Sequence, residues 1–275
     1  PNRPHITMTS RTSSLLVSVL ALGATLAVTT AQAQVFDAVR LQGGPPGQDS
    51  GRAGAVVLLG TTYQGSDERR TLVLPAIDYQ WANGWFAGVT NGIGYNFPGN
   101  RDMLYGLRLT ADLGRKESRS AALRGLGDVG ARAELGGFFN VALAPGVNVT
   151  SSVRYGAGLS GKGLVVDLGA GYSTPVAAQW RLGVGGGISL VNTDYMQSYF
   201  GITAAQAAAS GYPTYSPEGG ARTGRVNTSL TYLASARVAL TAGLSTSTLL
   251  GDAADSPLVR RKSSLTGLLA AAYAF

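Results

Sequence analysis

The chain has no cysteine, one histidine, and only 15 acidic against 22 basic residues in 275, and each scarcity removes a class of protein. Without cysteine there is neither a disulfide scaffold nor a thiol nucleophile. The low net charge and ordinary apolar content are those of a folding chain, so disorder is excluded too. Long hydrophobic runs are also missing beyond the first thirty or so residues, which leaves no segment able to cross a bilayer as a helix. What is abundant is glycine, 39 residues without a collagen period. That is about twice the usual share of roughly 7%, and it favours strands and turns over helix.

The exceptional run lies near the start. Arg11 supplies a positive end, Leu15 to Val28 an apolar stretch of 14 residues, and Ala31-Gln32-Ala33 a small-x-small site, with Met8 read as the start codon. This is the pattern of a secretory signal peptide cut before Gln34, and the run is shorter than the roughly 20 residues of a membrane-spanning helix. The expected organisation is a pre-sequence and leader over 1–33 and one domain over 34–275. His5 lies upstream of the cut, so the mature chain lacks both His and Cys. Ser-His-Asp triads, Cys-His pairs, histidine zinc sites and haem ligation by histidine are thereby excluded. Removing Arg3 and Arg11 leaves 20 basic residues against 15 acids, a net charge of +5 too diffuse to indicate nucleic acid.

Beyond residue 34 the chain alternates with period two. Val129, Ala131, Ala133, Leu135, Gly137, Phe139 and Val141 share one face, opposite Gly130, Arg132, Glu134, Gly136, Phe138 and Asn140. Similar two-faced segments run near 53–63, 71–81, 84–95, 102–114, 147–159, 162–174, 179–191, 223–234, 236–248 and 264–275. A soluble sandwich would turn its oily faces to a second sheet, whereas an outer-membrane barrel turns them to lipid and its polar face to a lumen. Three features favour lipid. Aromatics gather at strand ends (Trp81, Trp85, Tyr95, Tyr105, Tyr155, Tyr172, Trp180, Tyr232, Tyr273), and the segments exceed the globular norm of about 5 to 6 residues. The last segment alternates up to Phe275, like the terminal strand of outer-membrane barrels.

The expected fold is an all-β, closed antiparallel transmembrane barrel. Eleven segments conflict with the even strand number of such barrels. Either a strand near Val35 to Gln42 makes twelve, the reading adopted, or a first segment outside the barrel leaves ten. With Phe275 periplasmic, long connections 115–127, 192–222 and 249–263 fall outside the cell and short ones 142–147, 174–179 and 234–236 inside. Thr203-Ala204-Ala205-Gln206 fits a capping box, predicting a short helix over Ala204 to Ser210 that ends at Gly211.

Candidate chemistry is sparse. Gly125-Leu126-Gly127-Asp128-Val129-Gly130 matches G-x-G-x-x-G, but its expected place at the start of a two-faced strand is not the strand-to-helix turn of a dinucleotide site. Gly183, Gly185 and Gly187 alternate and so face the lumen, not a phosphate. The charges expected to face inward (Asp78, Arg108, Asp112, Arg132, Glu134, Arg154, Asp167, Arg181) have both signs, as a structural network requires. Arg115, Lys116, Arg119 and Arg124, and Arg260-Arg261-Lys262, could face lipopolysaccharide phosphates or water. No catalytic, cofactor-binding or metal-ligating residue is assigned.

Four segments together resemble the MltA-interacting protein family (MipA/OmpV) of Gram-negative outer membranes. They are Tyr63 to Asp67 with Leu74-Pro75; Leu123 to Asp128 (LRGLGD); Asp194 to Gly211 (DYMQSYFGITAAQAAASG); and Leu250 to Val259 (LGDAADSPLV). The resemblance implies a non-enzymatic scaffold of the cell outer membrane, without cofactor. It would link a periplasmic murein hydrolase, a lytic transglycosylase, to a bifunctional murein synthase during peptidoglycan assembly. Family members are also tied to adhesion, and the polar lumen face leaves a passive small-solute pore as the alternative. The lipid contacts expected are those of any outer-membrane barrel. The longest signature lies in a segment expected to be external, whereas murein enzymes are periplasmic.

Overall fold

The computed structural model describes residues 47–100 and 102–275. These residues form a closed antiparallel barrel of twelve strands. The strands are β1 (Ser50–Thr61), β2 (Arg69–Gln80), β3 (Trp85–Gly88), β4 (Gly92–Asn96), β5 (Met103–Asp112), β6 (Arg132–Ala144), β7 (Val147–Ala157), β8 (Gly163–Ala177), β9 (Trp180–Val191), β10 (Gly220–Leu233), β11 (Val238–Leu249) and β12 (Ser263–Ala274). Each pairs with its sequence neighbour, and β1 pairs with β12 to close the ring, leaving no open end to the sheet order.

Twelve is the expected number, reached by another route. The segment read as one strand over 84–95 is a hairpin, β3 and β4, turning through Val89–Asn91. Gly92 adopts φ +76, and a Cβ there would lie 2.2 Å from the Leu109 carbonyl oxygen. Glycine is therefore what lets the chain reverse in the middle of a two-faced stretch. The strand expected near Val35 to Gln42 and the leader lie outside the described residues, and the barrel closes without them.

Alternation places the faces as the sequence implies. Along β6, Leu135 is 65% exposed on the outside while its neighbour Glu134 is 1% exposed within. Outer positions on other strands repeat this with Ile77, Leu109, Val153, Leu168, Val184, Val226, Leu244 and Leu269, an apolar girdle with no second sheet to cover it. This closed, outwardly apolar ring is the fold of an outer-membrane β-barrel.

The aromatic residues depart from the expected pair of girdles. Among the described rings on the outer wall, Trp81, Trp85, Tyr95, Phe97, Tyr105, Phe139, Tyr172, Trp180, Tyr232 and Tyr273 lie toward the rim with the short turns, and Tyr155 lies toward the other. They form edge-to-face and tilted chains, Trp85–Tyr95–Phe97–Tyr105–Phe139, with centroids 5.5 to 6.3 Å apart. Gly51 leaves room on this rim for the Phe275 ring beside Tyr79.

The opposite rim carries the long connections, and these fold inward. They contain helix α1 (Thr193–Phe200), helix α2 (Ala204–Ser210) and the short helix α3 (Gly251–Asp255). The capping box is formed as expected: the Thr203 hydroxyl accepts from the Gln206 amide while the Gln206 side chain accepts from the Thr203 amide. Gly211 closes α2 in the left-handed conformation.

Candidate functional site

The lumen encloses the buried charges of the described residues, and two layers fill it toward the long-loop rim. The deeper layer is ionic. The register places Arg154 of β7 opposite Gly136 of β6, next to inward Glu134, and Ser152 opposite Asp167 of β8. The Arg154 guanidinium spans the two acids, donating to Glu134 at 3.0 Å and to Asp167 at 2.8 Å. Thr110 adds a bond to Glu134 at 3.3 Å, and the Ser189 hydroxyl donates to Asp167. Removing such charges from water costs several kcal/mol per ion unless each is paired and hydrogen-bonded, which this geometry provides. Both carboxylates face the same cation, so the pair serves to join β6, β7, β8 and β9.

Above it sits α1. Asn192 starts the helix, its side-chain oxygen accepting from the Tyr195 amide at 3.1 Å and from the Leu164 amide at 2.9 Å, which ties the helix to β8. Tyr195, Met196, Tyr199 and Phe200 are buried among Val129, Ala157, Val165, Val191, Leu249 and Ala253, wall and loop residues alike. Two stacked rings, Tyr195 and Tyr199, lie 4.6 Å apart. The Tyr199 hydroxyl donates to both oxygens of Asp112, at 2.7 and 2.6 Å. Asp112 also accepts from the amides of Gly114 and Gly158. Arg222 donates to the Tyr195 hydroxyl, and Arg115 to the Tyr199 carbonyl at 2.8 Å. Gly158 has φ +78, and a Cβ there would meet the Ser198 hydroxyl at 2.6 Å, so α1 can seat only against glycine.

A third cluster roofs the plug: Tyr63, Leu123, Leu126, Ile202 and Leu258, drawn from four external connections. The Tyr63 hydroxyl donates to the Leu258 carbonyl at 3.0 Å, and burial pushes its pKa up to about 12. Tyr63 and the other three segments noted in the sequence thus meet in one place, whereas Leu74-Pro75 stays in the wall of β2. Toward the short-turn rim the lumenal face of β7 to β10 is instead mostly small or neutral, with Asn148, Thr150, Gly171, Gly185, Asn227 and Ser229 among its residues.

Several sequence expectations change at this site. Val129, grouped with the lipid-facing residues of β6, is 1% exposed inside the plug cluster, because a bridge to Arg115 turns the chain inward before β6 begins at Arg132. Consequently G-x-G-x-x-G lies in a loop, not at the start of a strand, with Gly125 and Gly127 at positive φ and their amides donating to Glu117. The basic run 115–124 is not one surface patch. Arg115 is buried under α1, Lys116 pairs with Asp128 at 2.8 Å, and Arg124 is exposed. In the second cluster Lys262 pairs with Asp255, and Arg260 donates to the Tyr212 hydroxyl. Arg132 and Arg181 lie at opposite mouths, and Arg108 packs over the Phe138 ring. Helix α1 escaped the sequence reading, although Asn192 before Tyr195 is an N-cap signal in plain view. No cluster of three or more metal-ligating acids, cysteines or histidines exists among the described residues.

Similarity to known proteins is uneven. No curated protein matches the chain. Among solved structures, the outer membrane channel DcaP of Acinetobacter baumannii aligns with TM-score 0.41 at 8% identity, covering 85% of this chain and all of that one. The CymD monoaromatic hydrocarbon channel gives 0.41 at 12% identity, over 92% of this chain and 94% of that one. The NanC porin gives 0.39 at 11%, over 82% and 98%. The description MltA-interacting protein MipA, by contrast, matches residues 53–275, the whole of the barrel except the first three residues of β1, and the chain belongs to that family.

Proposed function

We propose that this protein is a non-enzymatic scaffold of the cell outer membrane, exported with a cleaved leader over 1–33, whose periplasmic rim docks murein enzymes. The partners proposed are those the family resemblance implies, a lytic transglycosylase and a bifunctional murein synthase, and the family description MltA-interacting protein supports a murein-enzyme partner. The single structural observation that supports a scaffold over a pore is the plug: α1 and three external connections are packed to full burial over the lumen. It also removes the conflict between signature and partners. The long signature from Asp194 to Gly211 builds the plug and its roof, so it is not placed for a periplasmic contact, which falls to the short turns. Arg154 engages both Glu134 and Asp167, which supports a structural role for that pair over hydrolysis.

The test is co-purification from envelope extracts with the intact barrel as bait. Enrichment of a lytic transglycosylase over a control barrel is expected, and it should fall when the Ala234–Arg237 turn is replaced by Asn-Gly. No enrichment over the control would overturn the reading.

A further inference from the structure

Strand lengths around the ring are unequal in one place. β3 and β4 have 4 and 5 residues where the others have 10 to 15. β3 pairs with β2 only over Asp78 to Gln80, and β4 with β5 only over Gly106 to Leu109. Above the hairpin tip, β2 continues from Ile77 to Arg69 with β1 on one side and no described strand on the other. The wall has a gap between upper β2 and the end of β5.

The tip is a fixed sill. Asp78 accepts from the Thr90 hydroxyl at 2.8 Å and from the Asn91 amide at 3.3 Å, and a Cβ at Gly88 would fall 1.8 Å from that carboxylate. Val89 donates its amide to the Ile77 carbonyl, so by period two Pro75, Val73, Thr71 and Arg69 also turn their backbone groups into the gap. Proline there interrupts the row of donors and discourages addition of a further strand. Behind the gap lies an apolar back wall of Val56, Leu58, Leu74 and Ala76, with Leu72 and Leu113 packed against it. Its outer margins are Val73 and Val89, 64% and 47% exposed.

Depth selects the occupant. At about 3.3 Å per residue and a tilt of about 40°, Val73 stands roughly 20 Å from the Trp81 belt, in the outer half of an apolar band about 25 Å tall. At the top, the Ser120 hydroxyl donates to Glu68 at 3.0 Å and draws Arg119 to β2, where the charge of Arg70 adds to burial in lowering the Arg119 pKa. Glu68 is already engaged by Ser120, and no ion pair to Arg70 forms among the described residues. Arg70 heads the same inward row of β2 as Leu72 and Leu74, so an apolar slot open to the outer leaflet whose back wall ends in arginine fits an anionic lipid of that leaflet.

We propose that the gap between β2 and β5 is a lateral binding slot for lipopolysaccharide. One acyl chain lies over Val73, Val89 and the Leu113 back wall, an ester carbonyl accepts from the Thr71 amide, and a phosphate rests on Arg70. The slot depends on placement in the outer membrane and not on the murein partners, so failure of either proposal leaves the other standing.

Native mass spectrometry of the barrel, released from envelopes in mild detergent, tests it. The wild-type protein should retain one lipopolysaccharide. Arg70→Gln should weaken retention about tenfold, the loss of one charge-assisted phosphate contact, and inserting two residues on each side of the Val89–Asn91 turn, which extends the hairpin along β2, should abolish it. Heat-modifiable migration on gels verifies folding of each variant. As a readout needing no variant, adding lipopolysaccharide to the delipidated wild-type barrel should raise its melting temperature, and phosphatidylglycerol should not. No retained lipid, equal retention by both folded variants, equal stabilisation by phosphatidylglycerol, or a second barrel held at the β2 edge would each overturn the proposal.

Discussion

Arg154 shows how one side chain holds four strands. It is about one-sixth exposed and touches two acids that are almost wholly buried. Arg154→Ala leaves Glu134 and Asp167 facing each other without a cation, and the expected loss is about 3–5 kcal/mol, the cost of an uncompensated buried charge. Thermal unfolding in detergent measures it. Arg154→Met combined with Glu134→Gln and Asp167→Asn should recover much of that loss, because no charge is left to desolvate. Tyr63 gives a pH dependence of its own. Its pKa is raised to about 12 by burial, so the folded state favours the neutral phenol. Its contribution is fully present below the unfolded value of 10 and is lost as pH rises from 10 toward 12. The loop roof should therefore loosen in that window, seen as increased proteolysis near Leu258, and Tyr63→Phe should abolish that alkaline step.

Elements differ in how openly the sequence announces them. Alternation is a local property, so the long strands, their inner and outer faces and the inward positions of Glu134, Arg154 and Asp167 were legible from period two alone. Helix α2 was legible because Thr203, Gln206 and Gly211 are each a local signal. The β3–β4 hairpin was not, because Trp85 to Tyr95 alternates almost without a break and only the conformation of Gly92 reveals the turn. The plug was hidden for a different reason: Asp112, Arg115, Tyr195, Tyr199 and Arg222 are brought together from three separate stretches, and no spacing along the chain encodes that meeting. Its seating also sets a testable property of the element. Tyr199→Ala with Tyr195→Ala removes the stacked rings, the donor to Asp112 and the partner of Arg222. In planar bilayers the wild-type barrel should be silent and the double variant should conduct, whereas steady conductance of the wild type would favour the pore.

At the scale of the whole molecule the two rims are chemically opposite. One is a ring of tight turns edged by aromatic side chains, and the other is a packed cap of loops and short helices. Indole and phenol rings partition to the headgroup level, where an apolar body and a polar tip are both satisfied, so a belt confined to one rim anchors that rim at a fixed depth. The opposite rim, lacking such a belt, is positioned by the height of the strands and by the lipid that surrounds it. All three tryptophans, Trp81, Trp85 and Trp180, belong to the short-turn rim. In proteoliposomes of uniform orientation, iodide should quench indole emission from the compartment facing the short turns and leave it unchanged from the other. Equal quenching from both sides would mean that the rings are not gathered at one interface, and the assignment of the turns to the periplasm would lose its physical anchor.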